Sequence, residues 1–198
     1  MYINLLIEDS VHEFTLRKVL EKFKRKYEVH SVFGKRGNNY IRQKLHAFNN
    51  ASKVIPYLVL TDLDRVECPP ELIQNWITFP KHPNLIFRIA VMEAEAWLIG
   101  DRENFASFFG INVNRINRNP ESIQNPKEYI IQLARQSRKR RIREDLVPEG
   151  RATVGRNYNS CLGEFIFDYW NINMAAKNCN SLNRLLLHLK RFKASPHH

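Results

Sequence analysis

Short apolar runs alternate with stretches of helical periodicity along the first half of the chain. The runs predict four strands, which are Tyr2–Ile7, Tyr27–Phe33, Tyr57–Asp64 and Asn84–Val91. The stretches between and after them predict helices, with Ser10 as the N-cap of the first: 11–26, 38–50, 70–79 and 92–99. Repeated strand–helix alternation predicts an α/β fold, with a largely parallel four-stranded sheet flanked by helices.

The pattern changes after a short helix that we expect between Asp101 and Gly110. Polar segments and a basic block then separate helices near 126–135 and 161–170. A last helix begins at Ser181 and carries leucines at helical spacing, at positions 182, 185, 186 and 189. We therefore expect a single domain overall, with an α/β core over residues 1–110 and a basic, mainly helical extension over residues 111–198.

Composition narrows the classes of function. The chain has 198 residues, of which 43% are apolar and 26% charged, as in ordinary globular proteins. Its net charge of +11 indicates an anionic partner, either nucleic acid or an acidic protein. Three cysteines without metal-type spacing argue against a disulfide framework or a zinc site. Without a bilayer-spanning apolar run or a signal-peptide layout, the sequence favours a cytoplasmic protein and no membrane partner.

Acidic residues follow two of the predicted strands. Glu8 ends the first strand, and Asp62 and Asp64 end the third. If the third strand continues to Asp64, its period of two places both aspartates on one side. If the first and third strands are neighbours, all three carboxylates meet at the carboxyl edge of the sheet, where a divalent cation would relieve their repulsion. The alternative is a set of ordinary polar loop residues.

Several segments resemble motifs of one known family. Ile7-Glu8, followed by a helix with Leu16-Arg17-Lys18-Val19-Leu20, looks like the opening of TOPRIM domains, and Asp62-Leu63-Asp64 resembles their DxD element. Met92–Asp101 is similar to the E-A-W-L-L-A-D segment of a TOPRIM-like family related to OLD (overcoming lysogenization defect) nucleases, and Ser181–Arg184 to its C-terminal end. Members of that family are often encoded beside ATPases in prokaryotic anti-phage loci.

The resemblance implies a role for each matching acid. Glu8 corresponds to the TOPRIM glutamate, Asp62 and Asp64 to the DxD metal ligands, and Glu95 to the acid of the E-A-W motif. The family usually has glycine directly after the glutamate, where this chain has Asp9. That change leaves weakened or lost catalysis open.

A second departure lies four residues after Glu8, where the family is often acidic. This chain has His12 there, followed by Glu13. Either side chain would support a second metal ion, and the alternative for both is a place on the helix surface.

The resemblance implies a Mg²⁺- or Mn²⁺-dependent nuclease that cuts DNA or RNA, acting as the effector of an anti-phage system with an ATPase partner. The metal at Asp62 and Asp64 would polarise a phosphate, Glu8 would bind metal or transfer a proton, and Glu95 would complete the metal shell. The alternative is a non-catalytic subunit that uses the TOPRIM scaffold to bind nucleic acid or a protein. A homo-oligomer is compatible with either.

Basic residues predict where nucleic acid would bind. Lys35 and Arg36 flank glycines at a turn between a strand and a helix, where free N–H groups can meet phosphate. The densest charge lies in a basic block, whose candidate phosphate-binding residues are Arg138, Lys139, Arg140, Arg141 and Arg143. Because Glu144 and Asp145 follow at once, a solvated or partner-facing helix is the alternative.

Overall fold

The part of the chain that the structure describes, residues 1–195, contains four strands in one parallel sheet. This computed structural model places them in the order β2–β1–β3–β4. The strands are β1 (Tyr2–Ile7), β2 (Glu28–Gly34), β3 (Tyr57–Asp62) and β4 (Leu85–Ala90). The predicted α/β class and the parallel four-stranded sheet are confirmed, and β1 and β3 are neighbours as expected.

Helices occupy most of the remaining described chain. The first three follow β1, β2 and β3 and are α1 (Ser10–Glu21), α2 (Gly37–Ala51) and α3 (Pro69–Trp76). After β4 come α4 (Ala94–Ile99), α5 (Arg102–Phe109), α6 (Pro126–Arg135), α7 (Arg140–Leu146), α8 (Tyr158–Glu164), α9 (Ile172–Asn178) and α10 (Asn180–Arg191). A π-helical segment, Phe165–Tyr169, continues α8. Among the described residues, no helix combines the length and apolarity that crossing a bilayer requires.

Alternation along the strands divides the apolar side chains between the two faces of the sheet. On one face, Leu6, Val59 and Phe87 pack with Ile41 and Leu45 of α2 in a buried cluster. The residues between them along the strands point to the opposite face, and α1 contacts β1 and β2. Burying each such side chain stabilises the fold by roughly 1.5–3 kcal/mol. Both faces of the sheet are therefore covered, and this packing holds the strands and the carboxyl edge of the sheet in place.

The chain forms two compact units. The sheet unit comprises Met1–Val91 and the chain from Arg184 onward, and the helical unit comprises Met92–Asn183. Within the helical unit, α4 packs with α6 and α9. The start of a helical extension at residue 111 stays a prediction. That the whole chain is a single domain stays a prediction.

The predicted extension of β3 through Asp64 is wrong. The strand ends at Asp62. The backbone N–H of Leu63 still donates a hydrogen bond to the carbonyl oxygen of Ala90. Asp64 then adopts a left-handed backbone with φ of 52°. That conformation ends the alternation of side chains, so the two aspartates are not held side by side along one strand.

The start of the first helix also differs from the prediction. Asp9 is the N-cap in place of Ser10, and its carboxylate accepts a hydrogen bond from the backbone N–H of His12. The helix ends at Glu21, short of the predicted Lys26. Aspartate is as good an N-cap as serine, so the sequence supports either start.

We predict that Gly34→Ala destabilises the sheet unit much more than Gly37→Ala. Both glycines have positive φ, 105° and 75°, but a Cβ at Gly34 would overlap the carbonyl oxygen of Ile7 while one at Gly37 would meet no atom within 4 Å. Chemical denaturation should give a loss of about 1–2 kcal/mol for Gly37→Ala, from backbone strain alone, and about 3 kcal/mol or more for Gly34→Ala. Equal losses would show that β1 and β2 can separate at this point without cost.

Candidate functional site

The pairing of β1 with β3 places Glu8 against the end of β3. Ile7, the last residue of β1, is in register with Leu60. The carboxylate of Glu8 therefore reaches the next residues of β3, where its Oε1 accepts a 2.9 Å hydrogen bond from the backbone N–H of Asp62. The hydroxyl of Thr61 donates to the same oxygen. Glu8 and Asp62 thus lie side by side at the carboxyl edge of the sheet, as the sequence predicts.

A buried histidine connects Asp62 to the start of α1. His12 has no exposed surface. Its Nδ1 lies 2.9 Å from Oδ1 of Asp9, and its Nε2 lies 3.0 Å from Oδ1 of Asp62. Because both ring nitrogens face carboxylate oxygens, the imidazolium form donates to both at once. His12 therefore fixes the position of Asp62 through the cap of the helix.

Burial and neighbouring charges shift the pKa values of these groups. Burial, followed by the charge of Asp62, raises the pKa of Glu8 to about 7, although His12, Thr61 and the backbone N–H of Asp62 oppose the rise. For His12, burial is the largest influence and lowers the pKa. The charge and hydrogen bond of Asp62 and the contacts with Asp9 outweigh it, so the pKa of His12 lies well above its ordinary value.

Glu8, His12 and Asp62 have the geometry and the donor chemistry to hold a divalent cation. One ligand atom from each lies within 4.8 Å of the other two. The two carboxylates suit Mg²⁺ or Mn²⁺, whereas His12 could bind a transition metal only as neutral imidazole, because an imidazolium has no free lone pair. The repulsion that raises the pKa of Glu8 is also what a cation would relieve. The donor set therefore fits the metal that the sequence predicts.

Asp64, the second acid of the DxD element, is exposed. Its Oδ2 accepts a 2.9 Å hydrogen bond from Nδ2 of Asn38. Among the residues that the structure describes, it does not belong to the group of Glu8, His12 and Asp62 that could share an ion. A role for Asp64 as a metal ligand stays a prediction.

Glu13, the candidate for a second metal, is held by two cations. Its carboxylate lies 2.5 Å from Nζ of Lys35 and 2.7 Å from Nε of Arg17. Burial alone would raise the pKa of Glu13, but the hydrogen bonds and charges of these two partners lower it. Lys35, a predicted phosphate contact, is thus paired with Glu13, and the guanidinium of Arg36 lies 5.4 Å from the ring centroid of Tyr40. Metal binding by Glu13 and phosphate binding by the two basic residues stay predictions.

Glu95 lies in the helical unit, in the first turn of α4. Its carboxylate is almost wholly buried, with 1% exposure. It accepts a 3.2 Å hydrogen bond from the hydroxyl of Tyr158 and lies 3.6 Å from Nζ of Lys127. A carboxylate kept inside a protein needs such partners, and here they also connect α4 to α6 and α8. The catalytic role expected for Glu95 stays a prediction.

The basic block is exposed and largely paired within the helical unit. Arg140 pairs with Glu144, and Arg141 with Asp145 and Glu164. The remaining contacts are donations to carbonyl oxygens: Lys139 Nζ to Ser107 at 2.9 Å and Arg143 to Ser137 at 2.5 Å. Exposed ion pairs contribute only about 0–1 kcal/mol, so a phosphate could replace their acids at little cost. Nucleic-acid binding by these residues and by exposed Arg138 stays a prediction.

We predict that Glu8→Gln makes the metal-free protein more stable than the wild type near pH 7 but not near pH 4.5. Because the pKa of Glu8 is raised from 4.5 to about 7, its contribution to the free energy of unfolding is fully present below pH 4.5 and is lost as the pH rises through 7. The amide keeps an oxygen for Thr61 and Asp62 but cannot ionise. Chemical denaturation in EDTA should show that the free energy of unfolding of Glu8→Gln, relative to the wild type, grows by up to about 3 kcal/mol between pH 4.5 and pH 7.

Glu67→Gln, which changes an exposed acid, is the matched control for that experiment. Its free-energy difference from the wild type should stay constant between pH 4.5 and pH 8. A constant difference for Glu8→Gln as well would contradict the raised pKa.

Comparisons with known proteins found a similar structure and a matching family. The C-terminal region of the Burkholderia pseudomallei OLD protein is similar in structure, at 14% sequence identity and a TM-score of 0.47, over 95% of this chain and 96% of that chain. No curated protein matches the sequence. The model of the family described as Domain of unknown function (DUF4276) matches residues 7–190, which include Glu8, His12 and Asp62. Because that match covers nearly the whole chain, this protein belongs to the DUF4276 family.

Proposed function

We propose that this chain is a nuclease of the TOPRIM type, which uses Mg²⁺ or Mn²⁺ to hydrolyse phosphodiester bonds of DNA or RNA. The observation that supports it best is the convergence of Glu8, His12 and Asp62 at the carboxyl edge of a parallel sheet, with one ligand atom from each within 4.8 Å of the others. Ligands of α/β sheets bind at this edge. The net charge of +11 suits a polyanionic substrate.

Glu8 and Asp62 would hold the metal in this proposal. When bound, the ion supplies a Lewis acid that polarises the phosphate and stabilises the charge that develops on it. The hydroxyl of Thr61 and the N–H of Asp62 hold Glu8 from the β3 side, so its carboxylate keeps one orientation. The alternative role of Glu8 is proton transfer near neutral pH, since its pKa is about 7 when no cation is bound, and a bound cation would lower that pKa.

His12 is the positioning residue of this centre. Its Nε2 fixes one oxygen of Asp62, and its Nδ1 is fixed by the helix cap Asp9. The histidine is fully buried, so it acts through Asp62 and does not reach a substrate directly. Asp9, which replaces the usual glycine, thus has a part in the centre through its contact with His12.

The wider setting of the proposal comes from the motif resemblance. It includes a cytoplasmic role in anti-phage defence with an ATPase partner. It also includes Asp64 and Glu95 as further acids of the centre, and phosphate binding by the basic block and by Lys35 and Arg36. Asp64 would take part only after the loop behind β3 changes conformation, since its backbone is left-handed and its carboxylate contacts Asn38.

We predict that Asp62→Asn lowers metal-dependent cleavage by about 10²-fold or more, since it removes a ligand that acts on the developing charge. The purified 198-residue chain is incubated with Mn²⁺ or Mg²⁺ and with single- and double-stranded DNA and RNA, and the products are resolved by gel. Glu8→Gln should have a similar effect. Asp64→Asn reports separately whether the second acid of the DxD element takes part.

Glu67→Gln, at an exposed position outside the centre, is the matched control and should cleave as the wild type does. Cleavage by Asp62→Asn at the wild-type rate would place the reaction elsewhere. Calorimetric titration with Mn²⁺ should show binding to the wild type and a loss of affinity in Asp62→Asn.

One observation favours a second function, a non-catalytic subunit that binds nucleic acid or a protein. The imidazolium of His12 already lies between Asp9 and Asp62 and neutralises part of their charge without a metal. In that case the wild type would bind nucleic acid with an affinity that depends strongly on salt. EDTA would change neither that affinity nor the length of the nucleic acid after incubation. Metal-dependent cleavage that is lost in Asp62→Asn would rule this function out.

A further inference from the structure

An open groove of about 390 Å³ lies in the sheet unit, away from the residues of the candidate centre in sequence. We call it the arginine groove. It is lined by one residue of β4, four residues of α10 and the residue that follows α10: Arg88, Arg184, Leu187, His188, Arg191 and Phe192. None of these residues belongs to the group of Glu8, His12 and Asp62.

The secondary structure explains why the cations meet there. Arg184, His188 and Arg191 follow the i, i+4, i+7 spacing and therefore share one face of α10. Arg88 lies on β4, the edge strand, between Phe87 and Ile89, which point into the cluster that α2 and α3 cover. Alternation sends Arg88 to the opposite face of the sheet. The groove is thus a fixed feature of the fold, not a chance meeting of long side chains.

The charge of the groove is uncompensated. Among the described residues, no carboxylate forms an ion pair with Arg88, Arg184 or Arg191. Two further cations act on the groove from other elements, since Lys81 precedes β4 and Lys26 donates to the carbonyls of residues 189 and 190 of α10. Like charges held this close repel each other unless an anion joins them.

Two buried nitrogen atoms of the groove also have no partner. Nε of Arg88 and Nε2 of His188 are inaccessible to solvent and make no hydrogen bond within the part of the chain that the structure describes. Burial and the charges of Arg88, Lys81 and Lys26 lower the pKa of His188 to about 4, so its ring is neutral at pH 7. Burial and Arg184 likewise lower the pKa of Arg88. An unpaired buried donor costs about 1–3 kcal/mol, so this part of the fold carries a cost that ligand binding to the accessible cations of the groove would offset.

We propose that the arginine groove binds a phosphate dianion, either inorganic phosphate or the terminal phosphate of a mononucleotide. Guanidinium groups hold phosphate oxygens through paired hydrogen bonds, and Arg88, Arg184 and Arg191 bring three of them to one place. A volume of this order suits a small ligand. Leu187, which is 44% exposed, supplies apolar surface beside the cations for the remainder of a nucleotide. This site is independent of the proposed nuclease activity.

We predict that Arg184→Met weakens phosphate binding and that Arg25→Met leaves it intact. Both arginines are exposed, so both variants should fold and both lose one positive charge, but only Arg184 lines the groove. Calorimetric titration with inorganic phosphate and with AMP, at ionic strength held constant with chloride, should give saturable binding to the wild type and to Arg25→Met. Affinity should fall by about tenfold or more in Arg184→Met.

Arg88→Met supplies a second, opposite readout. Removing a partly buried cation that lacks an acid should raise the melting temperature in phosphate-free buffer, while the stabilisation that phosphate gives the wild type disappears. Equal phosphate affinities in Arg184→Met and Arg25→Met, or no saturation in the wild type, would overturn the proposal. Tighter binding of an oligonucleotide without a terminal phosphate than of AMP would overturn it in favour of a strand-binding surface.

Discussion

The pairing of β1 with β3 is the contact on which the candidate centre depends. It carries Glu8 to the N–H of Asp62 and the hydroxyl of Thr61, which both donate to one oxygen of its carboxylate. Parallel pairing between strands that are not consecutive requires the crossover through β2 and α2, which the apolar cluster around Ile41 and Leu45 holds in place. The chemistry at the edge of the sheet thus rests on packing some distance away from it.

The centre and the arginine groove handle charge in opposite ways. At the edge of the sheet, Asp9 and Asp62 enclose His12, so the histidine offsets part of the acidic charge within the chain. In the groove, Arg88 and His188 keep buried nitrogens that have no partner among residues 1–195. A protein is only marginally stable, and a cost of this size is a substantial part of its total. A ligand that restores the balance would therefore stabilise the folded chain.

Much of the sheet could be predicted from sequence, and the reasons for the failures are specific. β1 has the predicted bounds because its apolar run stops at an acid, and the convergence of Glu8 with Asp62 follows from strand order. The prediction for Asp64 is wrong because apolar Leu63 continues the alternating pattern beyond the end of β3. Periodicity does not reveal the left-handed turn that follows.

Two residues of interest carried signals too weak to interpret alone. His12 lies three residues after Asp9, the spacing at which a cap acceptor and a helix side chain meet, but only the fold shows that the ring is buried against Asp62. Arg88 is the one charged residue within the apolar strand β4. An isolated arginine on an edge strand has many explanations, and the helix that completes its groove lies almost a hundred residues later.

The double contact of Asp9 with His12 has a consequence for the dynamics of the chain. Its carboxylate holds both the backbone N–H and the ring of the same histidine. Fraying of the first turn of α1, ordinarily a low-energy local event, would here also release Asp62 from its partner. Unfolding of the first turn and disruption of the centre are therefore expected to occur together. The attraction between Asp9, His12 and Asp62 in turn stabilises the end of α1, which in most helices unfolds first.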